Sequence, residues 1–178
     1  MTRRPGTRLG SPRAPSLAGA AALVLFVVVS VALVACGRPS RREPFVGRVV
    51  GVADGDTITV LDGRSEVRVR LNGIDCPERG QPFAANAKRL TSELAFGRSV
   101  TVEPRDTDRY GRTIADVTLP DGRVLNRELV AAGMAWHYRR YSDDETLARL
   151  ERRAREARAG IWSDPRPVAP WELRESRR

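Results

Sequence analysis

Six charged residues stand where the local apolar pattern gives way to turns: Asp54 and Asp56 in Asp-Gly-Asp-Thr, Arg70, Asp75 and Glu78 in the run from Arg70 to Glu78, and Arg112 in Asp-Arg-Tyr-Gly-Arg. Taken singly, each has a structural use. Asp-Gly makes turns, Pro-Glu starts helices, and a strand-end arginine pairs with a carboxylate. Taken together, they could act on a phosphate. Carboxylates from separate strand ends, with a main-chain carbonyl and waters, give an all-oxygen site that suits a hard cation such as Ca²⁺. Zinc would usually need more imidazole or thiolate than His137 and one free cysteine provide. Two arginines at the rim would grip a phosphate bidentately and offset the extra negative charge of a phosphorane-like transition state. One carboxylate is left to handle a water.

Those residues need elements to bring them together. Alternation over Phe45 to Val52, Thr57 to Leu61 and Glu66 to Leu71, with Asp54-Gly55 and Asp62-Gly63 between the runs, predicts a three-stranded meander. Phe83, Ala87, Leu90 and Leu94 recur at helical spacing and Gly97 ends that helix. Two more strands are expected over Ser99 to Glu103 and Thr113 to Leu119, and a short helix near Asn126. The longest helix is expected from Ser142, where Ser142 and Glu145 have capping-box spacing, to Gly160. Its buried stripe is Leu147, Leu150, Ala154, Ala157 and Ile161, and its arginines read as a solvated face. The fold class is therefore α+β, a five-stranded OB-fold β-barrel with about three packed helices. The domain runs over 45–163, and 164–178 reads as a disordered, proline-rich tail.

The chain has 178 residues and 41% apolar content, enough for one core and no second domain. Its formal charge is +9, and Arg3, Arg4, Arg8 and Arg13 lie in the first 36 residues without a balancing acid, which leaves +5 on the remainder. That excess attracts polyanions, nucleic acid among them, without identifying one. The run from Leu17 to Ala35 is a secretory apolar region, and Leu33-Val34-Ala35-Cys36 resembles the lipobox in which cysteine is lipidated. The alternative is an uncleaved transmembrane helix. Either reading makes 1–36 a leader or anchor and 37–44 a solvated tether, with the domain outside the cytoplasm, anchored to a bacterial membrane or secreted. With Cys36 claimed by lipidation, Cys76 has no partner and no structural disulfide is expected.

Asp54-Gly55-Asp56-Thr57, Arg70 to Glu78, Asp108 to Arg112, Leu125 to Leu129 and Gly160-Ile161-Trp162 occur in the order and spacing of the staphylococcal nuclease family, which the chain resembles from about Phe45 to Ser163. The resemblance implies that Asp56, Asp75 and the carbonyl of Cys76 ligate Ca²⁺. Arg70 and Arg112 would bind the phosphate and stabilise the transition state, and Glu78 would be the general base. Asp54 would stand behind the ligands, and Tyr138 and Tyr141 would line the nucleotide pocket. His137 has no role in that mechanism and reads as structural. Cys76 stands where the type enzyme has threonine, and the segment Arg79 to Pro82 is short where longer members carry a mobile loop. The implied activity is Ca²⁺-dependent hydrolysis of DNA and RNA, single-stranded or denatured by preference, with monomer as the default state. The alternatives are a catalytically weak or inactive OB-fold module that binds nucleic acid, and a calcium-stabilised structural lipoprotein.

Overall fold

In the computed structural model, residues 43–177 are described, so the expected leader, the tether up to 42 and Cys36 lie outside them. Five strands close a barrel: β1 (Phe45–Val52), β2 (Thr57–Asp62), β3 (Ser65–Leu71), β5 (Ser99–Thr107) and β6 (Thr113–Thr118). The neighbour order is β1-β2-β3-β6-β5, closing back onto β1. All pairs are antiparallel except β3 with β6. Strand periodicity explains which side chains fill the barrel. Val67, Val69 and Leu71 point inward to join Val49, Ile58, Val60, Val100, Val102 and Val117, while Arg68 and Arg70 fall on the other face. Pro104, which cannot donate to a ladder, sits where the β5–β6 register shifts.

Helix α1 (Ala84–Ala95) follows the first three barrel strands and buries Ala87, Thr91 and Ala95. Leu90 and Leu94, expected at the centre of its stripe, are only partly buried. Helix α2 (Leu125–Ala131) rests on the barrel through Leu125, Leu129 and Val130. Its buried Asn126 accepts from Val117 N–H at 3.1 Å and donates to the carbonyls of Asn72 and Ala115, at 2.9 and 3.2 Å. That one amide ties the helix to β6 and to the turn after β3.

Three expectations are corrected. Helix α3 spans Glu145–Glu156 with Asp144, not Ser142, as its N-cap. The Asp144 carboxylate accepts from Thr146 N–H at 2.6 Å and Leu147 N–H at 3.4 Å, whereas the Ser142 hydroxyl accepts from Asp144 N–H at 3.2 Å and meets the His137 ring at 3.3 Å. With its hydroxyl engaged there, Ser142 forms the turn that leads into the cap, and the Asp144 carboxylate meets the helix N–H groups. Helix α3 also stops before Gly160: Arg158 takes positive φ, Ala157 is exposed, and Gly160 opens a 3₁₀ turn, Gly160–Ser163. Finally, the segment expected to be a loose tail carries a fourth helix, α4 (Pro170–Ser176). Pro170 occupies its first turn, where a missing N–H costs nothing, and Ala169, Pro170 and Trp171 bind it to the rest of the domain. Strands β4 (Ile74–Asp75) and β7 (Trp136–His137) form a separate two-stranded pair that the sequence pattern did not reveal.

Candidate active site

The end of β3 and the starts of β2 and β6 meet at one place. Arg70 pairs with Thr57 across one ladder and with Ile114 across the other, so its side chain leaves the barrel wall between Asp56 and Arg112. After β3 the chain turns at Asn72-Gly73 and β4 brings Asp75 back beside Arg70. Arg70 forms an ion pair with Asp56 through Nη1 and with Asp75 through Nη2, the latter at 2.6 Å. Asp56 and Asp75 are almost fully buried. Asp56 also accepts from Cys76 N–H at 2.9 Å and from the Thr57 hydroxyl at 3.1 Å. Its orientation is thus fixed from three sides. Gly55 lets this turn approach so closely: an added Cβ would lie 2.8 Å from both Ala87 Cβ and Cys76 Sγ. Thr91 of α1 donates to the Gly55 carbonyl.

Arg112 reaches the same place from the start of β6. Asp108 accepts from its Nε at 2.7 Å and from its backbone N–H at 2.9 Å, and Nη1 lies 3.5 Å from the Thr57 hydroxyl. Burial pushes Asp108 up, but its bonds with Arg112 and Tyr110 hold it below its ordinary range. Asp108 therefore remains a charged brace for Arg112.

The electrostatics of the carboxylates bear on whether a cation fits. Among the described residues, no three His, Cys, Asp or Glu side chains form a ready cluster for a metal ion. Arg70 spans Asp56 and Asp75 instead. The donor set nevertheless has the right chemistry. Burial pushes Asp56 up, and the Arg70 charge and Cys76 N–H outweigh it, so Asp56 is held ionised. Asp54 is raised to about 6, first by burial and then by the Asp56 charge. Burial, followed by the Asp56 charge, pushes the Cys76 thiol well above its ordinary value. The main-chain carbonyl is the oxygen donor that Cys76 can bring to a hard cation. Carboxylates and a carbonyl fit Ca²⁺.

Glu78 lies just beyond β4, with its backbone N–H bonded to Gln81 Oε1 at 2.7 Å. Its carboxylate pairs with Arg174 of α4, which also pairs with Asp75. Tyr138 follows β7, whose pairing with β4 sets Trp136 opposite Asp75, and its N–H donates to the Gly73 carbonyl at 2.8 Å. Tyr141 packs edge-on against Tyr138 with ring centroids 4.8 Å apart and is largely exposed. Trp171 of α4 stacks on Tyr138, centroids 4.9 Å apart and planes 5° from parallel. His137 is buried behind this surface. The six charged residues are thus linked to one another around β2, β3, β4 and β6, and the two tyrosines stand beyond β7, joined to α4 through Trp171. Thr57, Asp108, Trp171 and Arg174 take part in these contacts, although sequence reasoning gave them no role. The available signal for the last two was a proline at a helix start, followed by a tryptophan and an arginine three residues apart, on one helical face.

Comparison with known proteins agrees with this geometry. Residues 68–164 match the family described as "Staphylococcal nuclease homologue". The chain is 46% identical over 125 residues to an Escherichia coli O157:H7 protein named "Uncharacterized endonuclease", spanning 70% of this chain and 82% of the relative. It is 44% identical over 169 residues to "Protein ParB" of Escherichia coli, spanning 89% and 90%. Against "Micrococcal nuclease" of Shigella flexneri it is 39% identical over 165 residues, spanning 87% and 95%. A closed five-stranded barrel carrying these motifs, and similarity across most of both chains, establish that this protein belongs to the staphylococcal nuclease family.

Proposed function

We propose that the protein is a Ca²⁺-dependent endonuclease that hydrolyses phosphodiester bonds of DNA and RNA. The observation that carries this reading is the convergence of Asp56, Arg70 and Asp75, with Glu78 and Arg112 at its edges. The names "endonuclease" and "micrococcal nuclease" among the relatives support it. Asp56, Asp75 and the Cys76 carbonyl would hold the ion, which when bound supplies positive charge to a phosphate oxygen. Arg70 and Arg112 present guanidinium donors to the same phosphate and offset charge as it builds in the transition state. Glu78 accepts the proton of the attacking water as the new P–O bond forms and the ester P–O bond breaks, and the leaving alkoxide takes a proton from solvent. Tyr138 and Tyr141 offer an aromatic surface against which a base of any identity can pack, which favours unpaired strands. The apolar run ending at Cys36 supports secretion and lipid anchoring in a bacterial membrane, with the domain outside the cytoplasm.

The test is cleavage of heat-denatured DNA and of RNA by the full chain, in Ca²⁺ and in EGTA, beside Glu78→Ser and Arg112→Ala. Cleavage that needs Ca²⁺ and falls at least about 100-fold in both variants is expected. Binding of strands without cutting, in any divalent metal, would replace the enzyme with a binding module.

A further inference from the structure

One side chain that the nuclease reading does not use touches two of the residues it does. Arg174 donates from Nη2 to Asp75 Oδ2 at 2.6 Å and from Nη1 to Glu78 Oε1 at 2.5 Å, and Nη1 lies 3.5 Å from Asp75 Oδ1. Among the described residues, it is the only hydrogen-bond partner of the Glu78 carboxylate. The helix that carries it is anchored independently of this contact. Ala169 and Pro170 are buried, Trp171 stacks on Tyr138 and meets Trp136 edge-on, and Gln81 Nε2 donates to the Val168 carbonyl at 3.0 Å. Gln81 also accepts the Glu78 N–H. The main chain and the side chain of Glu78 are therefore both tied to the segment around α4, one through Gln81 and the other through Arg174.

We propose that Arg174 is a third arginine of the active site, a positioning residue that fixes the Glu78 carboxylate relative to Asp75, with α4 forming the flank beside the short Arg79–Pro82 segment. This rests on Glu78 acting on the water and Asp75 holding the cation. A glutamate has three side-chain torsions, and a base that is free to turn spends less of its time facing the water. Removing Arg174 therefore lowers kcat. Substrate contacts through Arg70 and Arg112 persist, so KM changes little. At Asp75 the guanidinium opposes a cation, so removing it leaves Ca²⁺ binding as tight or makes it tighter. Slower turnover without weaker Ca²⁺ binding distinguishes this role from a purely structural one, in which both would weaken along with thermal stability. It also differs from an inhibitory latch, whose removal would speed turnover.

The experiment compares the full chain with Arg174→Ala and Arg174→Lys. It measures kcat and KM on single-stranded DNA at saturating Ca²⁺, Ca²⁺ affinity by calorimetry without substrate, and thermal melting. The expected result is a kcat lowered about 10- to 100-fold in R174A, of the size seen when groups that orient metal-site residues are removed. KM should be nearly unchanged, Ca²⁺ affinity equal or tighter, and part of kcat restored in R174K. A kcat at or above wild type in R174A, or a Ca²⁺ affinity that falls in step with kcat, overturns the proposal. Glu78→Ser is run alongside. If it is inactive while R174A is unimpaired, the role of Arg174 falls and the nuclease reading stands. If it cleaves like wild type, the assignment of Glu78 falls and the role of Arg174 with it.

Discussion

Arg70 lies between two buried carboxylates and pairs with both, while Asp75 also pairs with Arg174. Removing one partner of a buried ion pair is costly because the remaining charge stays desolvated, on the order of 3–5 kcal/mol. Arg70→Ala should therefore melt well below wild type without metal. Ca²⁺ should raise its melting temperature more than it raises that of wild type, because the ion then replaces the missing positive charge. Equal shifts in the two proteins would show that Asp56 and Asp75 do not share a cation. Asp56, Arg70, Asp75, Glu78 and Arg112 could be picked out from sequence because each sits at a strand end or turn inside a short ordered motif. Arg174 could not. Its contacts span 96 and 99 positions, and the local helix signal does not say what the arginine meets. Thr57 stood inside a recognised motif, but its hydroxyl bridge between Asp56 and Arg112 depends on the β2–β3 register, which spacing alone does not set.

Elements were legible in proportion to their length. The five barrel strands carry enough alternation to be read, whereas β4 and β7 have two residues each and exist through their pairing with each other. Yet they set Asp75 opposite Trp136 and lead into Tyr138. Helix α3 was legible in its body and not at its ends, because Ser142 and Asp144 are both good caps and only the fold decides between them. That decision can be tested. Burial pushes Asp144 up, but the N–H groups of Thr146 and Leu147 outweigh it and hold the carboxyl below its ordinary value of 3.8. A carboxylate depressed in the folded state stabilises it above the ordinary carboxylate range, and the stabilisation fades as the pH falls through the native value. Asp144→Ala should cost about 1 kcal/mol at neutral pH. Urea midpoints should show that deficit shrinking in acid, and Asp144→Asn should keep most of the cap without the pH dependence. A deficit of equal size at all pH values would mean that the carboxylate charge is not what caps the helix.

Across the whole molecule, the barrel fixes the sites on β2, β3 and β6, while the second flank depends on how the C-terminal third is fastened to it. The fastening includes a close crossing of two glycines. Gly133, after α2, and Gly160, at the start of the 3₁₀ turn, both have positive φ, and a Cβ on Gly160 would run into the Gly133 carbonyl while one on Gly133 would run into the Ala159 carbonyl. Ile161 N–H donates to the Gly133 carbonyl at 2.9 Å, and Trp162 beyond it packs edge-on against Trp136. A methyl group at this crossing must push two backbones apart, and alanine also resists the left-handed conformation. Gly160→Ala should therefore lower stability by at least about 2 kcal/mol. Because α4 lies beyond the crossing, the displacement should also reach Arg174. The Gly160 variant should thus lose protection at the crossing together with turnover, where Arg174→Ala loses turnover with the crossing intact. Urea unfolding and hydrogen exchange at Ile161 N–H, measured beside kcat, separate the two. If Gly160→Ala were destabilised but turned over like wild type, α4 would be held in place by Trp171 and its neighbours without help from the glycine crossing.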